Sequence, residues 1–219
     1  MLFRSPESER PPAVFRRVFN AVIAASETSY STERLLEMAT PGAGFVWRVG
    51  SSDPVAASDI AGVGVWRHQY ANPANTSATT DSVVGNAGGF RLLWFGGGGP
   101  SRMPDRHLRG PAPLAAGNAF VVQGDGCLIG IDPANGTERW HLDLPPSSMR
   151  YVMPYDAGYA CLSETGSDLL VAAGMELWSI DPYTGRIIRR TDADQVNHVW
   201  GYVAESKGAV FATLMKASA

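Results

Sequence analysis

The spacing of apolar positions changes character at about Val63. Before it, Phe15, Val18, Phe19, Val22 and Ile23 fall at i, i+3, i+4, i+7 and i+8. That is one stripe of a helix and predicts a helix over 13–26. A second short helix is predicted from Glu33 to Met38, with Thr32 as its N-cap and Pro41-Gly42 as its stop. Phe45-Val-Trp-Arg-Val49 reads as a strand, and the small, polar residues 50–62 as a linker. Beyond Val63 short apolar runs alternate with Gly, Pro, Asn and Asp, the punctuation of strands and turns. Leu92-Leu-Trp-Phe95 is predicted to be a strand closed by the glycine run 96–99 and Pro100. A phosphate cradle needs a helix N-terminus after its glycines, and none is predicted there, so the run reads as a loop.

One run occurs twice. GCLIGIDPANGTERW (126–140) returns as GMELWSIDPYTGRIIRR (174–190). Asp132 and Asp181 lie 49 residues apart (181 − 132), as do Gly136 and Gly185, and Leu128 and Leu177. Each copy divides into four strands, at 112–116, 119–123, 127–131 and 137–142, then at 159–163, 168–172, 176–180 and 186–191. In the Asp-Pro links, Pro presets φ, the Asp carboxylate can cap its own turn, and glycine supplies positive φ. A third copy begins at Val199-Trp-Gly-Tyr-Val203, turns at Ser206-Lys-Gly208 and enters 209–215. Four short antiparallel strands repeated every 40–50 residues are the signature of a β-propeller. The expected fold is therefore mainly β: a partial propeller of two four-stranded blades with incomplete flanking blades, behind a short helical N-terminal segment. The expected domains are 1–49, a linker at 50–62, and the propeller part at 63–219.

GDGCLIGIDPANGTERW resembles the repeat of the pyrroloquinoline-quinone (PQQ)-type propellers of bacterial multi-blade proteins. Asp132, Gly136 and Trp140 fill its three marker positions; Asp181 and Gly185 fill two in the second copy, where Arg189 stands in place of Trp. The resemblance covers about 63–215 and extends to WRHQYANPANT (66–76) and WFGGGGPSRMPDRH (94–107). It implies a binding or scaffold module, part of a larger multi-blade protein, with a protein partner or further blades as its partner. It also admits a PQQ-dependent oxidoreductase, in which a catalytic Asp, a calcium, an adjacent cysteine pair and a Trp beneath the quinone would be expected. Here Cys127 and Cys161 are not adjacent and no acidic cluster has calcium spacing. No cofactor is expected in this chain; PQQ and calcium belong to that alternative only. ERLLEMATPGAGFVWRV (33–49) resembles the end of a class I methyltransferase domain, which precedes the propeller in some longer chains, but the glycine-rich cofactor loop is missing.

Composition narrows the classes further. The 219 residues carry a net charge of −3, which gives no electrostatic reason to expect nucleic acid. No apolar run is long enough for a membrane span. Glu7, Glu9 and two prolines interrupt what a signal peptide would need, so the default location is cytoplasmic, although relatives of this type are often periplasmic. Cys127 and Cys161 each sit in an apolar run and are expected to be buried thiols.

The candidate chemistry is sparse. His68, His107, His141 and His198 show no short ligand pairing. Trp140 and Trp178 are expected in the core, and His141, next to Trp140 in a strand, on the opposite face. Asp105-Arg106-His107 is the most concentrated polar cluster, either a loop-fixing ion pair or an acid–base pair. His68 with Asn72 and Asn75 is read as pinning a blade edge; Asn75-Thr-Ser77 is formally a glycosylation sequon. No catalytic, cofactor-binding or metal residue is assigned. Unpaired blade edges predict self-association.

Overall fold

The computed structural model describes residues 17–84, 92–95, 111–145, 159–194 and 196–216. The chain is mainly β and divides into two compact units that meet at Ala61 and Gly62. In the first unit, β1 (Ala21–Ala24) pairs parallel with β2 (Phe45–Arg48), and β2 pairs antiparallel with β3 (Val55–Ala56). Between β1 and β2 lies a single short helix, α1 (Thr32–Leu36). Val22, Ala24, Leu35, Met38, Ala39 and Val46 form its core.

The first unit departs from the expected elements at three places. The part of the 13–26 helix that is described forms β1 instead. Val22 and Ala24 are buried while Ala21 and Ile23 are exposed, a period of two. The β-branched pair Val22-Ile23 suits a strand, and pairing with β2 overrides a helical stripe that local spacing also allowed. The cap of α1 is Ser31, not Thr32. Ser31 is extended, at φ −66° and ψ 160°, and its Oγ accepts from the Arg34 N–H at 3.3 Å. Thr32 is already helical and its Oγ1 accepts from Arg48 instead. Within the stretch read as a linker, Val55–Ala56 is a strand.

The second unit contains two four-stranded antiparallel sheets of the same up-and-down order. The first has β4 (Leu114–Ala116), β5 (Ala119–Gln123), β6 (Cys127–Ile131) and β7 (Glu138–Asp143). The second has β8 (Ala160–Leu162), β9 (Leu169–Ala173), β10 (Glu176–Ile180) and β11 (Ile187–Asp192). Each sheet carries a bulge at the equivalent place, after Gly130 and after Ser179. A hairpin of β12 (His198–Ser206) and β13 (Ala209–Lys216) follows.

These sheets stack. One face of the first sheet meets the second through Leu114, Val121, Leu128, Leu162, Leu169, Val171 and Ile180. The other face of the first sheet, Val122, Cys127, Ile129 and Ile131, is covered by Trp94. The other face of the second, Cys161 and Leu170, packs on Val203 and Ala212 of the hairpin. Burial on both faces is why CLIGI and LLVAA read as continuous apolar runs and not as alternating ones. Among the described residues the sheets close no ring, and no helix is long and apolar enough to cross a membrane.

The strand expected at Leu92–Phe95 does not form. Leu92, Leu93 and Phe95 are exposed and the segment pairs with no strand among the described residues. A strand without a ladder has nothing to hold its backbone. Trp94 alone is fixed, by its ring.

Candidate functional site

The Asp-Pro turns are built alike. Asp132 Oδ1 accepts from the Ala134 N–H at 2.9 Å, and the Gly136 N–H, at φ +75°, closes on the Asp132 carbonyl at 2.8 Å. In the second copy Asp181 Oδ1 accepts from Tyr183 at 2.8 Å and Thr184 at 3.3 Å, and Gly185, at φ +70°, closes on Asp181 at 2.9 Å. Burial pushes the Asp181 carboxyl up, but the Tyr183 amide, the Thr184 hydroxyl and amide, and Arg186 outweigh it and hold it below the ordinary carboxylate value. Asp132 is buried and its Oδ2 also pairs with Arg139 at 3.0 Å.

A tryptophan docks on each turn. The Trp140 indole lies on Gly185 and donates to the Pro182 carbonyl at 2.9 Å. Trp94 lies on Gly136 and donates to the Pro133 carbonyl, also at 2.9 Å. Trp140 thus anchors its sheet on the turn of the next one, and Trp94, which belongs to no sheet among the described residues, anchors its segment on the turn of the first. A Cβ on Gly136 or Gly185 would come within 2.4 or 2.7 Å of the ring, so both glycines are required twice, for φ and for space. Gly130 pairs with Trp140 and lies beneath its ring, where a Cβ would meet Nε1 at 2.1 Å. In the second copy Ser179 takes that place opposite Arg189, and its hydroxyl donates to Asp168 at 2.7 Å. Where the indole is lost, the need for glycine beneath it is lost too. Trp94 was missed in the sequence; the signal was its place 42 residues before Gly136 (136 − 94), near the 45 residues between Trp140 and Gly185 (185 − 140).

The second feature is a strap of three consecutive residues. In β4, β8 and β12, the first strands of the three repeats, hairpin register turns alternate backbone positions away from the neighbouring strand. Ala115, Leu162 and Glu205 are such positions, one in each strand, and Trp66-Arg67-His68 takes all three. The Trp66 and Ala115 N–H groups each donate to the other's carbonyl, at 2.7 and 2.8 Å. Leu162 donates to the Arg67 carbonyl at 2.9 Å. The Glu205 N–H donates to His68 Nε2 at 3.1 Å. Gln69 Oε1 accepts from Ala112 at 2.8 Å, and the Tyr202 hydroxyl donates to Asn75 Oδ1 at 3.5 Å. His68 and Asn75 thus tie down first strands, while Asn72 holds its own turn through the Ala74 N–H at 3.0 Å.

His68 is 1% exposed. Because Nε2 accepts, the neutral ring carries its proton on Nδ1, which finds no partner among the described residues. A buried donor without a partner costs about 1–3 kcal/mol. Burial pushes the His68 imidazole below its ordinary value. Cys161, which also neighbours Glu205, is a buried thiol pushed up to about 12, first by burial and then by the Glu205 carboxylate. Such a thiol is a poor nucleophile. Burial, then Cys161 and Tyr70, raises the Tyr202 phenol.

Other predicted positions are used structurally. Cys127 is a buried thiol. Trp178 is in the core, donates to Glu176 at 2.6 Å, and has the Arg190 guanidinium 4.9 Å from its ring centre. His141 pairs with Asp143 at 2.8 Å, and His198 with the Val196 carbonyl at 3.0 Å. Asp105, Arg106 and His107 lie outside the described residues. Among the described residues, no three His, Cys, Asp or Glu side chains converge as metal ligands.

No protein-family model matches the chain, and a search of curated proteins finds no match. Among solved structures, the crystal structure of BamB from Moraxella catarrhalis is similar at 12% identity and a TM-score of 0.27. That match covers 41% of this chain and 29% of that one, so the chain spans under a third of its length.

Proposed function

We propose that residues 62–219 are consecutive blades of a β-propeller-type body with a non-catalytic role, a scaffold that binds a protein partner or further blades. One observation carries the reading: Trp66, Arg67 and His68 bond to the first strands of three successive repeats. In a propeller those strands face a common axis, so an element that reaches all three is placed where such an axis would run. The docked tryptophans support it: Trp140 ties the first four-stranded unit to the second, and Trp94 fixes the segment before the first unit onto that unit's turn. The repeat's polar side chains hold turns and edges: Asp132 and Asp181 cap amides, and Arg139 bridges Asp132 to the Asn118 carbonyl.

The test sets this role against the quinoprotein alternative. The chain is heated alone and with PQQ plus calcium. A ligand held only by the folded form at a hundred times its Kd stabilises it by about 2.7 kcal/mol, equivalent to a rise in Tm of about 5 °C or more for a domain of this size. The expected result is no rise. A saturable rise of that size would overturn the non-catalytic reading.

A further inference from the structure

We propose that His68 is a proton-operated latch that holds the Trp66–His68 strap on β12 at neutral pH and releases it in acid. Which atom donates decides the state of the latch. Register turns the Glu205 N–H and carbonyl away from β13 and toward the strap. The Glu205 N–H donates to His68 Nε2, so the latch is closed only while Nε2 holds a lone pair. Protonation places a second N–H against the first, and the bond becomes a repulsion.

The surroundings make this contact hard to replace. The Glu205 carboxylate is already occupied: Oε2 accepts from Glu164 and Oε1 from Gly208, both at 2.6 Å. It cannot turn to the imidazolium without leaving a backbone amide unpaired. The groups facing the ring from each neighbouring element are the Glu205 carbonyl and carboxylate on β12, Glu164 after β8, and Arg67 on the strap itself. The carbonyl and the two carboxylates favour the charged ring, Arg67 opposes it, and burial outweighs them all. Cys161 on β8, the remaining titratable neighbour of Glu205, is a neutral thiol throughout the range. The released strap accepts the proton that the closed one resists. Opening is therefore independent of pH above the ordinary His value of 6.5 and rises as pH falls below it, by about tenfold per unit until the closed-state value is reached. When the strap leaves, Ala115 and Leu162 also lose their backbone partners, and the first-strand edges become open to another extended segment.

Hydrogen exchange of the full chain, corrected for the intrinsic pH dependence of the rates, reads the latch. Between pH 7.5 and 5, the Trp66, Leu162 and Glu205 amides are expected to lose protection about tenfold or more, while β5–β6 and β9–β10 hold theirs. In His68→Gln, whose side-chain oxygen accepts but does not titrate here, protection at pH 7.5 is expected to persist and its loss in acid to vanish. In Glu205→Gln, which keeps the backbone N–H and removes a charge favouring imidazolium in the closed strap, the onset is expected to stay in place and the loss to deepen, levelling off only at lower pH. Ring-nitrogen NMR of the unsubstituted chain at pH 7.5 needs no variant and should report the Nδ1–H tautomer. Protection that is flat from pH 7.5 to 5, an unchanged acid response in His68→Gln, or the Nε2–H tautomer overturns the latch.

Discussion

Gly185 and Gly208 share a positive φ, +70° and +77°, but not an environment. Gly208 faces open space, whereas the Trp140 ring lies where a Gly185 Cβ would go. Gly208→Ala is expected to cost about 1 kcal/mol from backbone strain alone, and Gly185→Ala about 3 kcal/mol. In a Trp140→Ala background the two costs should converge, which denaturant titration of the four variants measures as a coupling energy. Equal costs in the unsubstituted chain would show that the indole does not dock on the turn. The two turn aspartates differ in the same graded way. Asp132→Ala leaves the Ala134 amide and Arg139 without a buried carboxylate and should cost about 3 kcal/mol. Asp181→Ala removes a half-exposed cap and should cost about 1 kcal/mol. The Asp181 carboxyl, held below its unfolded value, adds stability that is present above the ordinary carboxylate pKa and is lost as pH falls through its folded value. The acid limb of a pH–stability curve should therefore shrink in Asp181→Ala.

Among elements, strands were more legible than the segments that depend on remote partners. In both repeats the observed strands fall within about two residues of the expected ones, because turn chemistry and a fixed repeat act locally. The described part of the 13–26 stretch departs from expectation because its stripe fits a helix, while pairing with β2, some 24 residues on (45 − 21), decides the matter. Leu92–Phe95 failed for the opposite reason: its apolar run has no ladder among the described residues. The N-cap moved by one residue because Ser31 and Thr32 are both good caps, and the Arg48 guanidinium engages Thr32. His68 was visible as a pinning residue, but nothing local indicated that its partner would be Glu205, 137 positions along the chain.

At the scale of the whole molecule, β13 carries exposed Val210, Leu214 and Phe211, the last 61% accessible, and Ile188 is exposed on β11. Apolar side chains on strands with open edges recruit other chains. Sedimentation velocity at micromolar concentration is expected to show species larger than the monomer, and Phe211→Lys to shift them toward monomer. A single monomeric boundary in the unsubstituted chain would remove this expectation. Acid release of the strap would add open edges at β4 and β8 and should increase association below the His range.

The sequence by itself determined the repeat: its period, the Asp-Pro turns, the positive-φ glycines and four strands per unit. Each of these depends on side chains within a few residues, and the chain states them twice. Tertiary structure alone decided which groups share a space. It brought Trp94 onto Gly136 and Trp140 onto Gly185, made β1 a strand, and set Trp66-Arg67-His68 across three first strands. Those choices depend on packing, and on backbone donors and acceptors that every residue type carries, so no local pattern of side chains announces them.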